Sequence, residues 1–266
     1  MAAVRSLDQA AAWLERVGLA LLFPKPDIVL PSLWEAVAGH TELEWSVRDE
    51  EDSFVSFTPE MRKVWSWKDE LPARKLACVG LHVVRTTGLV APSLVPAAYA
   101  LTGRRGAPDD FRDVELEPLE LELAEAALRL GRPTTRRELR LLVDREKRHV
   151  DRAVNLLQRK LVFTNAGLRE EESGWSSTLH DLFARRWRTK LRRLRSREEA
   201  LAAIAEKVVA AAGDVSAADL AAALRIRRRE AADVLEALAE RGLADPREEA
   251  GVTVWISTAG STRRRG

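Results

Sequence analysis

The chain repeats itself at a constant spacing of 81 residues, and this repeat limits the possible folds more than any other feature. Residues 118–167, the first segment, align without a gap with residues 199–248, the second segment. Apolar positions coincide along the alignment, as Leu139 does with Leu220. Self-similarity at a fixed spacing is typical of a small structural unit present in two copies. We therefore expect two similar units in the second half of the chain.

Each segment shows the same order of local signals. An apolar-periodic helix ends near a glycine, Gly131 or Gly213. Thr135 and Ser216 are each followed three residues later by an acid, a capping box that predicts the start of a short helix. A polar turn, a second amphipathic helix and short β-like stretches follow. The predicted order is helix, short helix, turn, helix and β-hairpin, in both segments.

This order resembles the winged helix-turn-helix superfamily. The stretch "VTVWIST" reads as a strand of a hairpin, whereas solenoids built from helix pairs contain no strands. The resemblance implies a mainly α fold with small β wings. It also implies duplex DNA binding with the second helix in the major groove. Many winged helices bind proteins instead, so both partners stay open at this point.

The charge is divided unevenly along the chain. Residues 1–131 hold 14 basic and 21 acidic residues, a net charge of −7, and residues 132–266 hold 29 and 20, a net charge of +9. Such asymmetry predicts a polyanionic partner for the basic half. The alternatives are that the two halves attract each other or that the arginines occupy a solvated face.

Basic residues cluster where a groove-reading helix would need them, which predicts DNA-binding positions in both segments. In the first segment they are Arg136, Arg137, Arg140, Arg145, Lys147, Arg148 and Arg152. In the second segment they are Arg225, Arg227, Arg228 and Arg229. Each phosphate neutralised by such a cation would steepen the dependence of log affinity on log salt by about 0.9.

A stretch between the segments, "RRWRTKLRRLRSR" (185–197), contains eight basic residues in thirteen positions and no acid. Apolar residues recur around it at spacings of three and four, which predicts one helix over 179–197 with an apolar stripe and a basic face. The predicted phosphate contacts are Arg185, Arg186, Arg188, Lys190, Arg192, Arg193 and Arg195. The alternative partner is the acidic segment 41–60 of the same chain.

The first half is rich in tryptophan, and its most distinctive stretch is "VWSWKDELP". It brings Trp65 and Trp67 close in sequence to Asp69 and Glu70. One interpretation is an aromatic and carboxylate site for a base taken out of the stack. The other is structural: four tryptophans fill the core while the charges face water. These four are Trp34, Trp45, Trp65 and Trp67.

These patterns divide the chain into five parts. They are an N-terminal helical, Trp-rich domain (1–114), a winged-helix unit (115–178), a basic linking helix (179–197), a second winged-helix unit (198–259) and a basic disordered tail (260–266). The fold class predicted is mainly α with small β wings, built from tandem winged helix-turn-helix units and the N-terminal domain.

The chain resembles a wider family in the order of several short sequence motifs. They are "AWLERVGLALLFP", "LPSLWEAV", "VWSWKDELP" and "YALTG", followed by "LVFTNAG". The family consists of bacterial tandem winged-helix proteins related to crosslink-repair DNA glycosylases. The resemblance implies that active enzymes use a Gln-apolar-Gln motif, or a variant ending in Asp, to position the attacking water. This chain has two glutamines, and neither Gln9 ("QAA") nor Gln158 ("QRK") fits that motif.

The sequence therefore assigns no catalytic residue. We expect a DNA-binding protein acting in DNA repair or transcription regulation, with an N-glycosylase-like enzyme or a protein-interaction module as the alternatives. The single cysteine, Cys78, and four dispersed histidines predict no metal site. No nucleotide-binding glycine motif, signal-peptide core or long apolar run occurs, which predicts no cofactor, no membrane association and a cytoplasmic location.

Overall fold

A computed structural model describes residues 3–48, 55–82, 86–170 and 176–258. Its contacts divide the chain into two compact units. A discontinuous unit consists of Met1–Lys68 and Ala205–Gly266, and a central unit consists of Asp69–Ile204. The described part is mainly helical with small antiparallel sheets, which confirms the predicted class at that level. None of its helices combines the length and apolar character needed to cross a membrane.

The discontinuous unit begins with short elements, and its first two helices begin at side-chain caps. The elements are α1 (Leu7–Val17), β1 (Leu19–Leu21), α2 (Leu33–Ala38), β2 (Ser46–Arg48), β3 (Val55–Phe57) and the start of α3 (Pro59–Ala73). Ser6 caps α1 by accepting from the N–H of Gln9, and Ser32 forms a full capping box with Glu35 at α2. Caps of this kind satisfy backbone donors that the first helical turn leaves free.

The central unit contains the first segment. Its elements are β4 (Cys78–Gly80), β5 (Gly88–Val90), α4 (Val95–Ala100), a 3-10 turn (Asp110–Asp113), α5 (Pro118–Leu130), β6 (Thr134–Thr135), α6 (Arg136–Val143), α7 (Lys147–Arg159), β7 (Phe163–Glu170), β8 (Ser176–Leu182) and α8 (Phe183–Arg186). Strands β6, β8 and β7 form one antiparallel sheet in that order. Its core includes Leu123, Leu139, Val154, Leu157 and Phe163, all fully buried.

The second segment follows the same course. Its elements are α9 (Arg197–Ala212), β9 (Asp214–Ser216), α10 (Ala217–Leu224), α11 (Arg228–Glu240), β10 (Ala244–Glu249) and β11 (Val252–Ser257), with the sheet order β10-β11-β9. Helices α6 and α10 both have eight residues, α7 and α11 both have thirteen, and each pair begins 81 positions apart. The residues that end α6 and α10, Asp144 and Arg225, share a left-handed backbone conformation. The predicted capping boxes at Thr135 and Ser216 are both formed.

The prediction of one helix over 179–197 was wrong. Its first residues belong to β8, where Leu179 and His180 pair with Thr135 and Thr134. Only Phe183–Arg186 is α-helical, turns follow it, and α9 begins at Arg197. Strand pairing therefore prevails over the helical spacing of the apolar residues, a case of tertiary context overriding local pattern. The middle of the predicted apolar stripe is nevertheless buried, at Phe183, Trp187 and Leu191.

The prediction that four tryptophans fill the core was wrong for two of them. Trp34 is fully buried and Trp67 is 8% exposed, but Trp45 and Trp65 are 45% and 43% exposed. Trp65 and Trp67 stand two residues apart on α3, so the helical repeat directs them to different faces. Trp65 instead packs beside Trp45, with ring centroids 6.5 Å apart.

Candidate nucleic-acid interface

A basic groove of about 240 Å³ lies where α6 meets the start of α7. It is lined by Arg136, Arg137, Arg140, Lys147, Val150 and Asp151. The capping box fixes the start of α6, so its first residues, Arg136 and Arg137, lie beside the first turns of α7. Asp151 is the one acidic residue in the lining, and Arg136 binds it at 3.2 Å. The groove therefore keeps a clear excess of positive charge.

The predicted DNA-binding cations of the first segment other than Arg136 fall into two groups. Arg145 lies 3.9 Å from Glu122, and Arg148 lies 2.8 Å from Glu146; both pairs are solvent-exposed. Exposed pairs of this kind contribute about 0–1 kcal/mol, so a phosphate can replace the carboxylate at little cost. The second group makes no ion pair within the described part of the central unit. It comprises Arg137, Arg140, Lys147 and Arg152.

Three cations of the stretch 185–197 are used by the protein itself, and one of them is Arg197, which donates to the carbonyl oxygen of Leu101 at 3.1 Å. Arg185 binds the carboxylate of Asp181 at 2.7 Å and donates to the carbonyl oxygen of Ala127 at 2.9 Å. Arg186 donates to the carbonyl oxygens of Pro72 and Ala73 at the end of α3. Burial lowers the pKa of the Arg186 guanidinium. Arg185 and Arg186 hold the central unit together, a role that their charge pattern alone did not indicate.

The other cations of the stretch face solvent. They are Arg188, Lys190, Arg192, Arg193 and Arg195, and we call them the basic segment. Within the described part of the central unit, none of them pairs with a carboxylate. The acidic segment suggested as their internal partner includes residues 49–54, which lie outside the described residues. The predicted basic tail, 260–266, lies outside them as well.

The second segment presents its predicted cations at the start of α11. Arg225 occupies the left-handed position that ends α10, and Arg227 is the residue that caps α11. Arg228 and Arg229 form the first turn of that helix, and all four side chains are exposed. Cations near a helix N-terminus face the positive end of the helix dipole. The arrangement is unfavourable in the isolated chain and becomes favourable when an anion binds.

A second cavity, of about 310 Å³, lies in the central unit on the other side of Arg136 and was not predicted from the sequence. The ends of β4, α6 and α7 and the sheet formed by β7 and β8 surround it. It is lined by Gly80, Leu81, Thr87, Arg136, Arg137, Asn155, Gln158, Asn165, Ser177, Thr178 and His180. Within the part of the chain that the structure describes, this lining contains two guanidinium groups and no carboxylate.

Arg136 organises the wall shared by the groove and the cavity. It donates to His180 Nε2 at 3.2 Å, to Asp151 Oδ1 at 3.2 Å and to Asn155 Oδ1 at 2.7 Å. Burial, together with the nearby Arg136 charge, lowers the pKa of His180 to about 3. His180 is therefore neutral at physiological pH, and since Nε2 accepts a hydrogen bond, its proton lies on Nδ1.

Gln158, which lines the cavity, and His82 belong to a buried hydrogen-bond network. The side-chain oxygen of Gln158 accepts from the N–H of Leu81 at 3.2 Å. The backbone carbonyl oxygen of Gln158 accepts from His82 Nδ1 at 3.0 Å. His82 Nε2 then accepts from the hydroxyl of Thr164, which lies 3.2 Å away. Burial lowers the pKa of His82 to about 4, so this arrangement is neutral and stable near pH 7. The network joins β4, α7 and β7 around the cavity.

Comparison with protein families gave a match to the model described as AlkZ related, over residues 4–225. This match covers most of the chain. The chain belongs to the AlkZ-related family. Among solved structures, the DNA glycosylase AlkZ of Streptomyces sahachiroi is similar, with 16% identity and a TM-score of 0.48. The similarity covers 70% of this chain and 54% of the AlkZ chain. A search of curated proteins gave no match.

The two glutamines of this AlkZ-related chain are used in structural contacts. The side-chain oxygen of Gln9 accepts from the N–H of Arg5 at 2.8 Å, which caps α1. Gln158 is buried and lines the cavity. In the stretch "VWSWKDELP", Trp65 is exposed and Trp67 and Asp69 are buried. No group of three metal-binding side chains occurs within the described ranges.

The sequence indicated the basic groove but not the cavity. Arg136 and Arg137 were recognised as cations beside a turn, which is the signal that places them at the groove. Asn155, Asn165 and His180 were missed because they are 10 and 15 residues apart along the chain and meet only when β8 returns beside β7. A polar residue at an otherwise apolar position of a strand, such as His180, is the one local signal that could have marked them.

Proposed function

We propose that this chain binds duplex DNA through two winged-helix units and the basic segment, and that it acts in DNA repair. The observation that carries the proposal is the set of exposed cations that the protein does not neutralise. They occur along the basic segment, in the groove between α6 and α7, and at the start of α11. A surface with this charge pattern is the usual electrostatic footprint of nucleic-acid binding.

The winged-helix interpretation is supported by the order of elements in each segment. Three helices precede a β-hairpin, and the helix bounds of the two segments agree position by position. In this interpretation α7 and α11 are the helices that enter the major groove, with Lys147, Arg148, Arg228 and Arg229 near the bases. The β7–β8 and β10–β11 hairpins are then the wings, and we propose boundaries for the two units close to those predicted from the sequence.

Family membership supports a role in DNA repair. The family is described by its relation to AlkZ, and the solved AlkZ is a DNA glycosylase. The Gln-apolar-Gln motif expected of an active glycosylase has no counterpart here, and both glutamines are used in structural contacts. We therefore favour recognition of DNA without base excision. A cytoplasmic location stays a prediction.

The test is binding of a short labelled duplex over a salt series, with the duplex either undamaged or carrying one alkylated or abasic position. We expect a steep linear fall of log affinity with log salt. In the variant R188A/R192A/R195A the slope should become shallower by up to about 2.7, since each lost phosphate contact removes about 0.9.

A matched control removes three paired cations. The variant R74A/R105A/R112A changes the net charge equally, but these arginines already bind Glu70, Asp113 and Glu125. It should leave the salt slope close to that of the native chain. No duplex binding at about 50 mM salt would contradict the proposed function. Tighter binding to the damaged duplex would support the repair role, and a preferred undamaged sequence would indicate a regulator of transcription.

A protein-interaction role is the second candidate, and one observation favours it. Leu141 and Leu142 on α6 are 70% and 54% exposed, an unusual pair of apolar side chains on a short helix. A protein that binds this chain in a salt-insensitive manner, and loses affinity when both leucines become serine, would support this candidate over DNA binding.

A further inference from the structure

We propose that the 310 Å³ cavity beside Arg136 binds a single phosphate-bearing nucleotide. The nucleotide is either a free nucleoside monophosphate or one nucleotide turned out of a DNA strand. Only the second source rests on the proposed DNA binding. The proposal goes beyond a basic surface, because it assigns one cavity to one ligand.

The charge of the lining selects an anion. Arg136 and Arg137 contribute two positive charges, and no carboxylate among the described residues lines the cavity. Arg136 uses three of its five N–H groups for His180, Asp151 and Asn155, which fixes its orientation and leaves two for a ligand. Arg137 is exposed and makes no ion pair within the described part of the central unit. A fixed and a free guanidinium together suit a phosphate group.

A buried histidine without a complete set of partners points to the same ligand. His180 is 2% exposed, and its Nδ1 has no partner among the described residues. As argued above, Nδ1 carries the proton and is therefore a donor. Buried polar atoms nearly always have partners, so we take the unused donor of this lining residue as a sign that a ligand supplies the acceptor.

An unused acceptor occurs on the residue that faces His180 across the sheet. Asn165 stands directly opposite His180 in the β7–β8 pairing, so the two side chains share one face of the sheet. The side-chain oxygen of Asn165 is also buried and without a partner among the described residues. A donor and an acceptor on two paired residues of one sheet face suit the edge of a nucleobase, which presents the complementary pair. The arginines would then bind the phosphate of the same nucleotide.

The polar walls are arranged before any ligand enters. The side-chain oxygens of Asn155 and Gln158 are held by Arg136 and by the N–H of Leu81. Each amide therefore has its NH2 group left as a donor. Side chains fixed by their other contacts lose little freedom when a ligand binds, which favours affinity.

The size of the cavity limits the ligand to about one nucleotide. Pockets for small molecules begin at about 300 Å³, and this cavity has about 310 Å³. A duplex cannot enter such a space. A DNA-borne ligand must therefore be an extrahelical nucleotide, as in proteins that read a base outside the stack.

The second segment shows that the cavity is not a by-product of the shared backbone course. The positions 81 residues after Arg136, Arg137 and Asn155 hold Ala217, Ala218 and Glu236. These replacements remove both guanidinium groups and introduce a carboxylate that would repel a phosphate. At these three positions, anion-binding side chains therefore occur in the first segment alone.

The test titrates the full chain with deoxyadenosine monophosphate and, as the matched ligand, with deoxyadenosine. We expect the nucleotide to bind at least about tenfold more tightly, the usual size of one charge-assisted hydrogen bond. R137A should weaken nucleotide binding by a similar factor. R105A, which removes an exposed arginine outside the cavity, should leave it unchanged.

N165L supplies a second, independent variant. It removes the unused acceptor and should weaken binding of the nucleotide and of the nucleoside alike, while R137A affects the nucleotide alone. Equal affinities for nucleotide and nucleoside, or equal effects of R137A and R105A, would overturn the proposal. Circular dichroism of each variant establishes that the fold is retained before the titrations are compared.

Duplexes distinguish the two sources. A duplex with one bulged adenosine that binds more tightly than the paired duplex, and loses that gain in R137A, indicates a nucleotide presented by DNA. Binding of deoxyadenosine monophosphate without such a gain indicates the free nucleotide, and both results support the site. Nucleotide binding in the absence of any duplex binding would contradict the proposed function and leave the site standing. If the chain binds duplexes but R137A changes neither nucleotide binding nor duplex binding, the site is contradicted and the proposed function stands.

Discussion

The two segments have matching helices and very different side chains. Helices α6 and α10, and α7 and α11, agree in length and in their spacing of 81 residues, and the turn residues Asp144 and Arg225 share a left-handed conformation. Yet the first segment lines a basic groove and a polar cavity, while the corresponding positions of α10 hold alanines. The comparison teaches that caps and buried apolar residues determine the local fold, whereas a few exposed positions determine the chemistry.

The difference also separates two kinds of positive charge. In the first segment, Arg136 is fixed by three partners and shapes both the groove and the cavity. In the second, Arg227, Arg228 and Arg229 are exposed at the start of a helix and have no described ion pair in their unit. We infer that the first segment can select a ligand by shape, while the second contributes exposed positive charge.

The largest expected effect comes from removing the groove-facing cations of each segment in turn. R137A/R140A/K147A changes the first segment, and R227A/R228A/R229A changes the second by the same charge. If both segments contact DNA, each variant lowers the salt slope by up to about 2.7 and weakens duplex binding by orders of magnitude at physiological salt. The measurement is duplex affinity over a salt series. A change in only one variant would show that the other segment does not contact DNA.

Acid should destabilise the central unit through its buried histidines, a feature that the second segment lacks. Burial lowers the pKa of His180 to about 3 and of His82 to about 4, below the ordinary value of 6.5. The unfolded chain therefore binds more protons between these values. Stability is complete above pH 6.5 and is lost as the pH falls toward 4, by about 1 kcal/mol per pH unit for each histidine.

This pH dependence is measured by urea unfolding between about pH 7 and about pH 5, above the range in which most carboxylates titrate. H180Q should flatten the dependence, whereas the control H149Q alters an exposed histidine and should not. Hydrogen exchange at the lower pH should show opening of α7 before α11. Equal protection of both helices would contradict the assignment of the effect to the central unit.

Loss of a helix cap should cost about 1 kcal/mol in each segment, with the larger effect in the first. T135A and S216A remove equivalent capping side chains. Glu138, the partner of Thr135, also binds Arg132 at 2.8 Å and Arg169 at 3.0 Å, and these contacts hold the pKa of that carboxyl well below its usual range. The free energy of unfolding, measured in urea, should fall further for T135A than for S216A. A larger fall for S216A would show that the ion pairs hold Glu138 in place without the cap.

The sequence predicted those parts of the fold that depend on local signals. The capping boxes at Thr135 and Ser216, and the hairpins after α7 and α11, follow from residues close together in the chain. It failed for 179–197, because the strand pairing of Leu179 and His180 depends on residues more than 40 positions away. Arg185 and Arg186 look like free cations for the same reason, since their acceptors lie elsewhere in the chain.

The cavity illustrates the limit more clearly. No two of Gly80, Arg136, Asn165 and His180 form a recognisable motif, and they meet because a hairpin and two helices bring them together. Charge can be counted along a sequence, but a set of donors around one space depends on tertiary contacts. The basic groove was therefore accessible from sequence, and the polar cavity was not.

The smallest expected effect tests whether the two segments share their backbone at the turn. Asp144 has φ 47° and Arg225 has φ 57°, a region that side chains other than glycine occupy at a cost. D144G and R225G should each stabilise the chain by about 0.5–1 kcal/mol, as judged by thermal unfolding. R225G removes a proposed DNA contact and D144G removes an acid near the groove. Duplex affinity should therefore fall in R225G and rise slightly in D144G, while stability rises in both. Opposite signs for stability would show that the turns differ, and equal affinities would remove Arg225 from the interface.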